Sequence, residues 1–350
     1  MKTQLIALFP GQGSQHVGMA KDLVNQFKIA RQAFEEASDA VRIDLRKLCF
    51  EGPESDLTLT ANTQPALLTA SVAAFRVAQS ELGFAPAAVA GHSLGEYSAL
   101  VAAGALSLGT AAHWVHERGA SMQQAVPAGQ GTMAAILSME DEVVERLCVR
   151  ATELAQAKRA SGERTDVSVE CIVQPANYNA PGQLVIAGST DAVEEAVALV
   201  KAGVEFGKGK AIPLSVSAPF HCRLMRATRE RMAELFGTAT SLQKPKSLAC
   251  PYIPNRTARL TQETGIILEL LVEQVDHPVL WKHSIQTFLD SGFTTGLEFG
   301  PGKVLQGLAK RIQTSTGATL ALTSFGDPSA LSVLESMLTA EMRQTVGQGA

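Results

Sequence analysis

Short apolar runs alternate with stretches of helical periodicity along almost the whole chain, the pattern of an α/β protein. Leu5 to Phe9 reads as a buried strand ending at Pro10-Gly11-Gln12-Gly13, and one long amphipathic helix is expected over about residues 18 to 38. A second helix is expected from Pro65 to Leu82. Its proline would occupy the first turn, where a missing N–H costs little, and Gly83 would stop it. Ala87 to Gly91 reads as another short strand, the chain turns helical after Ser93, and a further helix covers about 108 to 126.

Between Gly129-Gln130-Gly131 and Gly207-Lys208-Gly209 the order changes. It reads strand 131–139, helix 140–157, strand 168–174, strand 183–188, helix 190–203 and strand 209–215. That βαββαβ order is ferredoxin-like and predicts an inserted subdomain, with Ala157 to Arg164 as an exposed loop. Alternation then resumes with helix 222–236, strand 247–253, helices 263–275 and 281–291, strand 296–299, helix 302–313, strand 318–323 and helix 328–343. The end from Thr345 is expected to fray.

At 350 residues the chain is one large domain or two ordinary ones, and its 18% charged content leaves no room for a dominant disordered tail. A net charge of −4 argues against a general nucleic-acid binder. The uncharged stretches 57–75, 97–116 and 119–139 carry Gln64, Pro65, Gly104, His113, Gln123 and Pro127, and so fall short of about 20 predominantly apolar residues. No membrane span is expected, and the N-terminal apolar run is too short for a signal peptide. Five scattered cysteines without metal-like spacing suggest reduced thiols and a cytoplasmic protein.

Gly91-His92-Ser93-Leu94-Gly95 follows a strand-like run and precedes a helix, the context of a G-x-S-x-G nucleophile elbow; the alternative is a glycine-lined turn whose serine caps the helix. His92 adjoins the serine, with a side chain expected to point away from the site. Among the histidines, His221 stands where an apolar strand ends and a helix starts, which makes it the candidate base, or else a helix-start residue without chemistry. The loop Phe9-Pro10-Gly11-Gln12-Gly13 lacks both dinucleotide and Walker spacing, and suits an oxyanion-hole backbone better than a phosphate cradle. Arg118 lies in an otherwise apolar, Ala-rich helix. It is either a surface residue paired with Glu117 or Glu96, or a fork for a substrate carboxylate.

Taken together the chain resembles the malonyl-CoA:acyl-carrier-protein transacylases and the related acyltransferase domains of polyketide synthesis. The resemblance is carried by Phe9 to Gln15, Asn62 to Ala66, Gly91 to Leu100, Arg118-Gly119, Asn177 to Gln183, Ser215 to Cys222 and Glu298 to Leu305, in family order across roughly residues 5 to 313. It implies an α/β-hydrolase-like body formed by residues 1–128 and 208–350, interrupted by the ferredoxin-like subdomain over 129–207. It implies Ser93 as nucleophile, His221 as general base and acid, and the backbone N–H groups of Gln12 and Leu94 as oxyanion hole. Arg118 would bind the malonyl carboxylate, and the Gln274 backbone carbonyl would orient the histidine in place of a triad aspartate. Gln64, Asn177 and Gln183 are weaker candidates around the site, and Leu94 with Phe220 resembles malonyl-selective rather than methylmalonyl-selective members.

Three departures stand out: His277-Pro278-Val279-Leu280-Trp281 where the family more often has Asn-Pro-Val-Arg-Trp, a longer loop around 157–167, and no usable motif after about 314. The implied reaction is ping-pong transfer of malonyl from malonyl-CoA to the phosphopantetheine thiol of acyl carrier protein, for fatty-acid synthesis. The alternatives are a freestanding polyketide acyltransferase, a serine thioesterase or hydrolase, and a non-catalytic carrier-docking module. The implied chain is a monomer that holds no metal or bound cofactor, with Lys158, Arg159, Lys208, Lys210 and Lys303 as contributors to a basic docking face.

Overall fold

A computed structural model describes residues 4–216, 218–314 and 317–347; Ser217, and 348–350 of the expected frayed end, lie outside the described residues. Strand β1 (Ile6–Phe9) is apolar and buried at every position, as a strand covered on both faces must be. The others are β2 (Val89–Gly91), β3 (Gly131–Leu137), β4 (Val173–Ala180), β5 (Gln183–Ser189), β6 (Lys210–Pro213), β7 (Tyr252–Ile253), β8 (Thr295–Phe299) and β9 (Ala321–Phe325). They form two sheets, ordered β7-β2-β1-β8-β9 and β4-β5-β3-β6.

The first sheet is parallel throughout. The chain leaves β1 for β2 and β7 on one side and returns to β8 and β9 on the other. This puts a topological switch point at the carboxyl ends of the central strands, where open α/β sheets bind ligands. Phe9 stacks on Phe299 with ring centres 5.9 Å apart, and Phe75 meets both rings edge-on. Phe75 comes from the helix Thr60–Leu82, which is buried on every side from Thr63 to Phe75.

The second sheet is antiparallel throughout. Its alternation is plain along β3: Ala134 and Ile136 pack under the helices Asp141–Ala160 and Thr190–Ala202, while Met133 and Ala135 face the main core. The helices therefore cover one face and the body covers the other.

Several boundaries differ from the sequence expectation. The helix expected over 18–38 is two, Lys21–Gln26 and Lys28–Val41, separated by Phe27 in extended conformation. Arg31 reaches back to donate to the carbonyls of Val24 and Asn25 at 2.9 and 3.1 Å, capping the first helix where it stops. Pro65 lies inside the helix that begins at Thr60, not in its first turn. The Ala61 carbonyl, which proline cannot bond, is taken by His116 Nδ1 at 3.0 Å.

The strand expected over 168–174 lies instead at β4, through Pro175 and the polar Asn177-Tyr178-Asn179. Proline is tolerated because β4 is an edge strand, and the register shifts beside Pro175. Strand 247–253 shrinks to the two residues of β7, helix 302–313 to Val304–Ala309, and the last helix runs from Ala330 to Gly347 past the expected fraying point. The helix expected to end at 157 continues to Ala160, so the exposed loop begins later than expected. No helix among the described residues is long and apolar enough to cross a membrane.

Candidate active site

β2 ends at Gly91 and the helix Gly95–Ala102 begins four residues later, leaving Ser93 at the turn with φ 52°. A left-handed serine is strained by about 1–3 kcal/mol and persists only where its surroundings fix it. Here the Ser93 N–H donates to Asn255 Oδ1 at 2.6 Å, and Asn255 Nδ2 donates to the Gly91 carbonyl at 2.6 Å, clamping both arms of the turn. The glycines are obligatory. A Cβ on Gly91 would lie 1.9 Å from the Gly95 carbonyl oxygen, and one on Gly95 would lie 2.2 Å from that of Phe9.

Ser93 Oγ is 2.7 Å from His221 Nε2, and His221 Nδ1 is 2.8 Å from the Gln274 backbone carbonyl. A carbonyl only accepts, so Nδ1 carries the ring proton and Nε2 is left to accept from the serine hydroxyl. His221 is 3% exposed. Burial pushes its pKa down to about 3, with the Arg118 charge adding to the fall and the Gln274 carbonyl opposing it. The imidazole therefore rests neutral, as a base must.

Arg118 is not a surface residue. It is 1% exposed, and its Nη2 donates to Ser93 Oγ at 3.1 Å and to Gln274 Oε1 at 2.8 Å, while Nη1 donates to Gln64 Oε1 at 2.7 Å. Of the two surface partners considered for it, Glu117 pairs with Arg231 at 3.1 Å and Glu96 is itself buried. Arg118 Nε has no hydrogen-bond partner among the described residues, and burial lowers the guanidinium pKa. Its guanidinium carbon lies 5.9 Å from the ring centre of Tyr97, within cation–π range.

Ser93, His221 and Arg118 line one cavity of about 120 Å³ together with Gln12, Leu94 and Asn177. The backbone N–H groups of Gln12 and Leu94 are not taken by another group among the described residues. Gly11 presses the first loop onto the elbow, since a Cβ there would meet the His92 carbonyl at 2.6 Å. Phe220 lines the cavity with Met122, Met133 and Val216.

Comparison with known proteins agrees with this geometry. The acyl transferase domain family matches residues 7–322. Malonyl CoA-acyl carrier protein transacylase of Bacillus subtilis (strain 168) is 44% identical over 310 residues, 89% of this chain and 90% of its own. The chain belongs to the malonyl-CoA:acyl-carrier-protein transacylase family. Among solved members, an acyl-carrier-protein S-malonyltransferase from Burkholderia pseudomallei 1710b superposes with TM-score 0.83 at 38% identity, covering 96% of this chain and all (100%) of that one. A malonyl-transacylase solved in complex with a type II polyketide-synthase acyl carrier protein superposes with TM-score 0.81 at 40% identity, covering 93% and 97%.

Against the family pattern, most sequence candidates converge on the cavity and a few do not. Gln64 reaches it through Arg118, and Asn177 lines it directly. Gln183 does not: it sits on β5 and accepts from Arg311 Nη1. His92 does not point away. It lines the cavity, its Nε2 is 2.8 Å from Asn179 Oδ1, and its ring rests 5.5 Å from that of Trp281. Lys158 and Arg159 are paired with Glu195 and Asp191, which removes them as free docking charges.

Asn255 was missed, and Glu96 was considered only as a surface partner of Arg118, whereas it is fully buried. Asn255 Nδ2 and Oδ1 brace the elbow, its N–H donates to Glu96 Oε2 at 3.0 Å, and its carbonyl accepts from Leu280 N–H at 3.0 Å. The departing segment 277–281 is thereby tied to the elbow through backbone, which explains why its altered side chains leave the site in place. An isolated asparagine after a two-residue strand carries no signal in sequence; Glu96, inside the quoted elbow motif, does.

Proposed function

We propose that the chain transfers the malonyl group from malonyl-CoA to the phosphopantetheine thiol of acyl carrier protein through an ester on Ser93. The observation that carries the reading is the Ser93 hydroxyl held between a neutral His221 at 2.7 Å and a buried Arg118 at 3.1 Å. His221 Nε2 takes the hydroxyl proton as Oγ bonds to the thioester carbon. The Gln12 and Leu94 N–H groups hold the oxyanion of the tetrahedral intermediate, where a single donor is typically worth about 3 kcal/mol. The carbon–sulfur bond then breaks, and the imidazolium returns its proton to the CoA sulfur. The second half runs in reverse order: His221 accepts the proton of the carrier thiol, the thiolate attacks the ester, and Ser93 regains its hydrogen.

Arg118 holds the free carboxylate of the malonyl group. Its unpartnered Nε supports this, because a buried donor without an acceptor is costly until an anion supplies one. The Gln274 carbonyl orients His221 and favours the imidazolium as it forms, doing the work of a carboxylate without its charge. Phe220 and Leu94 limit acyl size, and a one-methyl difference is worth about 1–3 kcal/mol in such a pocket.

The carrier as acceptor is supported by the solved relative bound to one. We read residues 1–128 and 208–350 as an α/β-hydrolase-like body and 129–207 as a ferredoxin-like subdomain, which the all-parallel and all-antiparallel sheets favour. We also read the chain as a cytoplasmic monomer serving fatty-acid synthesis.

Mass spectrometry of the intact protein after malonyl-CoA treatment tests this. An adduct of about 86 Da is expected on wild type, absent from Ser93→Ala and discharged by the phosphopantetheinylated carrier. Arg118→Ala should lose the preference for malonyl- over acetyl-CoA. Equally fast loss of the adduct to water without carrier would make the protein a hydrolase instead.

A further inference from the structure

Glu96 is an ionisable side chain beside the nucleophile that the chemistry above leaves unused. It stands in the first turn of the helix Gly95–Ala102 and has no exposed surface (0%). Its Oε2 accepts from the Asn255 N–H at 3.0 Å and from Gln274 Nε2 at 2.8 Å, whereas Oε1 has no partner among the described residues. Gln274 is a bridge. Its Nε2 also donates to the Ser93 carbonyl at 3.0 Å, and its Oε1 accepts from Arg118 Nη2 at 2.8 Å. An amide has one donating and one accepting end, so a carboxylate that grips Nε2 turns Oε1 toward the guanidinium.

The ionisable groups facing Glu96 are Arg118 from the helix Leu108–Gln124, Tyr97 from its own helix and Tyr252 from β7. Burial pushes both phenols up, so they stay neutral and Arg118 is the charge that acts on Glu96. Without substrate, at a pH high enough for Glu96 to be ionised, one buried cation and one buried anion cancel. A malonyl carboxylate arriving at Arg118 brings a second anion to a single cation, away from water. Two carboxylates in that position do not both stay ionised.

We propose that Glu96 is the resident counter-charge of Arg118, held to it through the Gln274 amide, and takes up one proton from solvent when the malonyl carboxylate docks. The charge balance closes: guanidinium with Glu96 carboxylate before, guanidinium with malonyl carboxylate and a Glu96 carboxylic acid after. The proton is released when the malonyl group leaves for the carrier. Glu96 is a positioning residue here, acting on the substrate through Gln274 and Arg118. Burial, opposed by the Asn255 N–H, the Gln274 amide and Arg118, already pushes its carboxyl up to about 7, within reach of such a transition. An undonated Oε1 also favours the protonated form once a second anion is present.

The proposal rests on Arg118 being the carboxylate holder, and calorimetry separates the two ideas. Malonyl-CoA is titrated into the full-length Ser93→Ala protein at about pH 8 in buffers of differing ionisation enthalpy, with acetyl-CoA as the control that carries the same phosphates. Uptake of about one proton with malonyl-CoA only is expected, and the association constant should fall close to tenfold per pH unit above about pH 8. Adding Glu96→Gln should abolish the uptake and flatten that dependence. Uptake that survives Glu96→Gln overturns the proposal, as does tight, malonyl-selective binding without uptake. Binding that does not prefer malonyl- to acetyl-CoA removes the Arg118 reading itself, and this proposal with it. Should the double variant fail to fold, the uptake by Ser93→Ala alone decides.

Discussion

At the scale of the residue, the histidine differs most from its free counterpart. Burial first, and the Arg118 charge second, push the His221 pKa down to about 3, so protonation of the folded base begins well below its usual range. The consequence has a definite sign: as pH falls, the neutral base persists. The single-turnover rate of Ser93 ester formation at saturating malonyl-CoA should stay within about twofold between pH 8 and 5, whereas an unperturbed histidine would lose about thirtyfold. Stopped-flow measurement across that range checks it, and a titration centred near the ordinary value would show that water reaches the imidazole. That Ser93, His221 and Arg118 would meet was legible through the family motifs that carry them, and the structure does bring them together. The brace around them was not. Asn255 acts through a side chain 2.6 Å from a backbone N–H that is 162 positions away, a juxtaposition only the fold creates.

At the scale of the element, helix–helix contact sets where Arg118 stands. The helices Thr60–Leu82 and Leu108–Gln124 approach so closely that a Cβ on Gly119 would lie 2.5 Å from the Thr60 carbonyl oxygen and 2.9 Å from Ala61 Cα. Both are backbone atoms and cannot swing aside. Gly119→Ala should therefore part the helices, destabilise the protein by about 1–3 kcal/mol and displace the neighbouring guanidinium from Ser93. Urea unfolding and the malonyl-to-acetyl preference should both shift; loss of stability with intact preference would detach Arg118 from the helix packing. Strong periodicity and glycine stops made most elements readable, but two kinds of information were absent. Tertiary capping split the first long helix, since Arg31 closes Lys21–Gln26 from the next helix along. Edge pairing made a strand of Pro175 to Asn179, a segment whose composition signals a loop.

At the scale of the whole molecule, the site is a seam between two sheets, and one backbone bridge holds the seam beside it. Tyr178 N–H donates to the Val279 carbonyl and Val279 N–H to the Ala176 carbonyl, each at 2.9 Å, joining the edge of the antiparallel sheet to the segment that leads into Trp281–Asp290. Across this seam Asn177 and Met133 from the small sheet face Ser93 and His92 from the body. Asn179 bonds His92, so the wall and the elbow are in direct contact. Val279→Pro deletes the donor to Ala176 and also replaces a fully buried side chain in the core that holds Ile6, Leu8 and Trp281. The lost bond costs about 1 kcal/mol and the disturbed packing about 1–3 kcal/mol more, so some loss of stability is expected. The expected outcome is a protein that is still folded in the absence of urea, though with a lower midpoint, and that esterifies Ser93 at least tenfold more slowly than the folded fraction accounts for, because a site that must hold its groups within about 0.5 Å loosens before the fold does. Equal burst rates in variant and wild type would place the rigidity of the seam elsewhere. A proportional loss of stability and rate would mean that the two sheets unfold and act as one cooperative body.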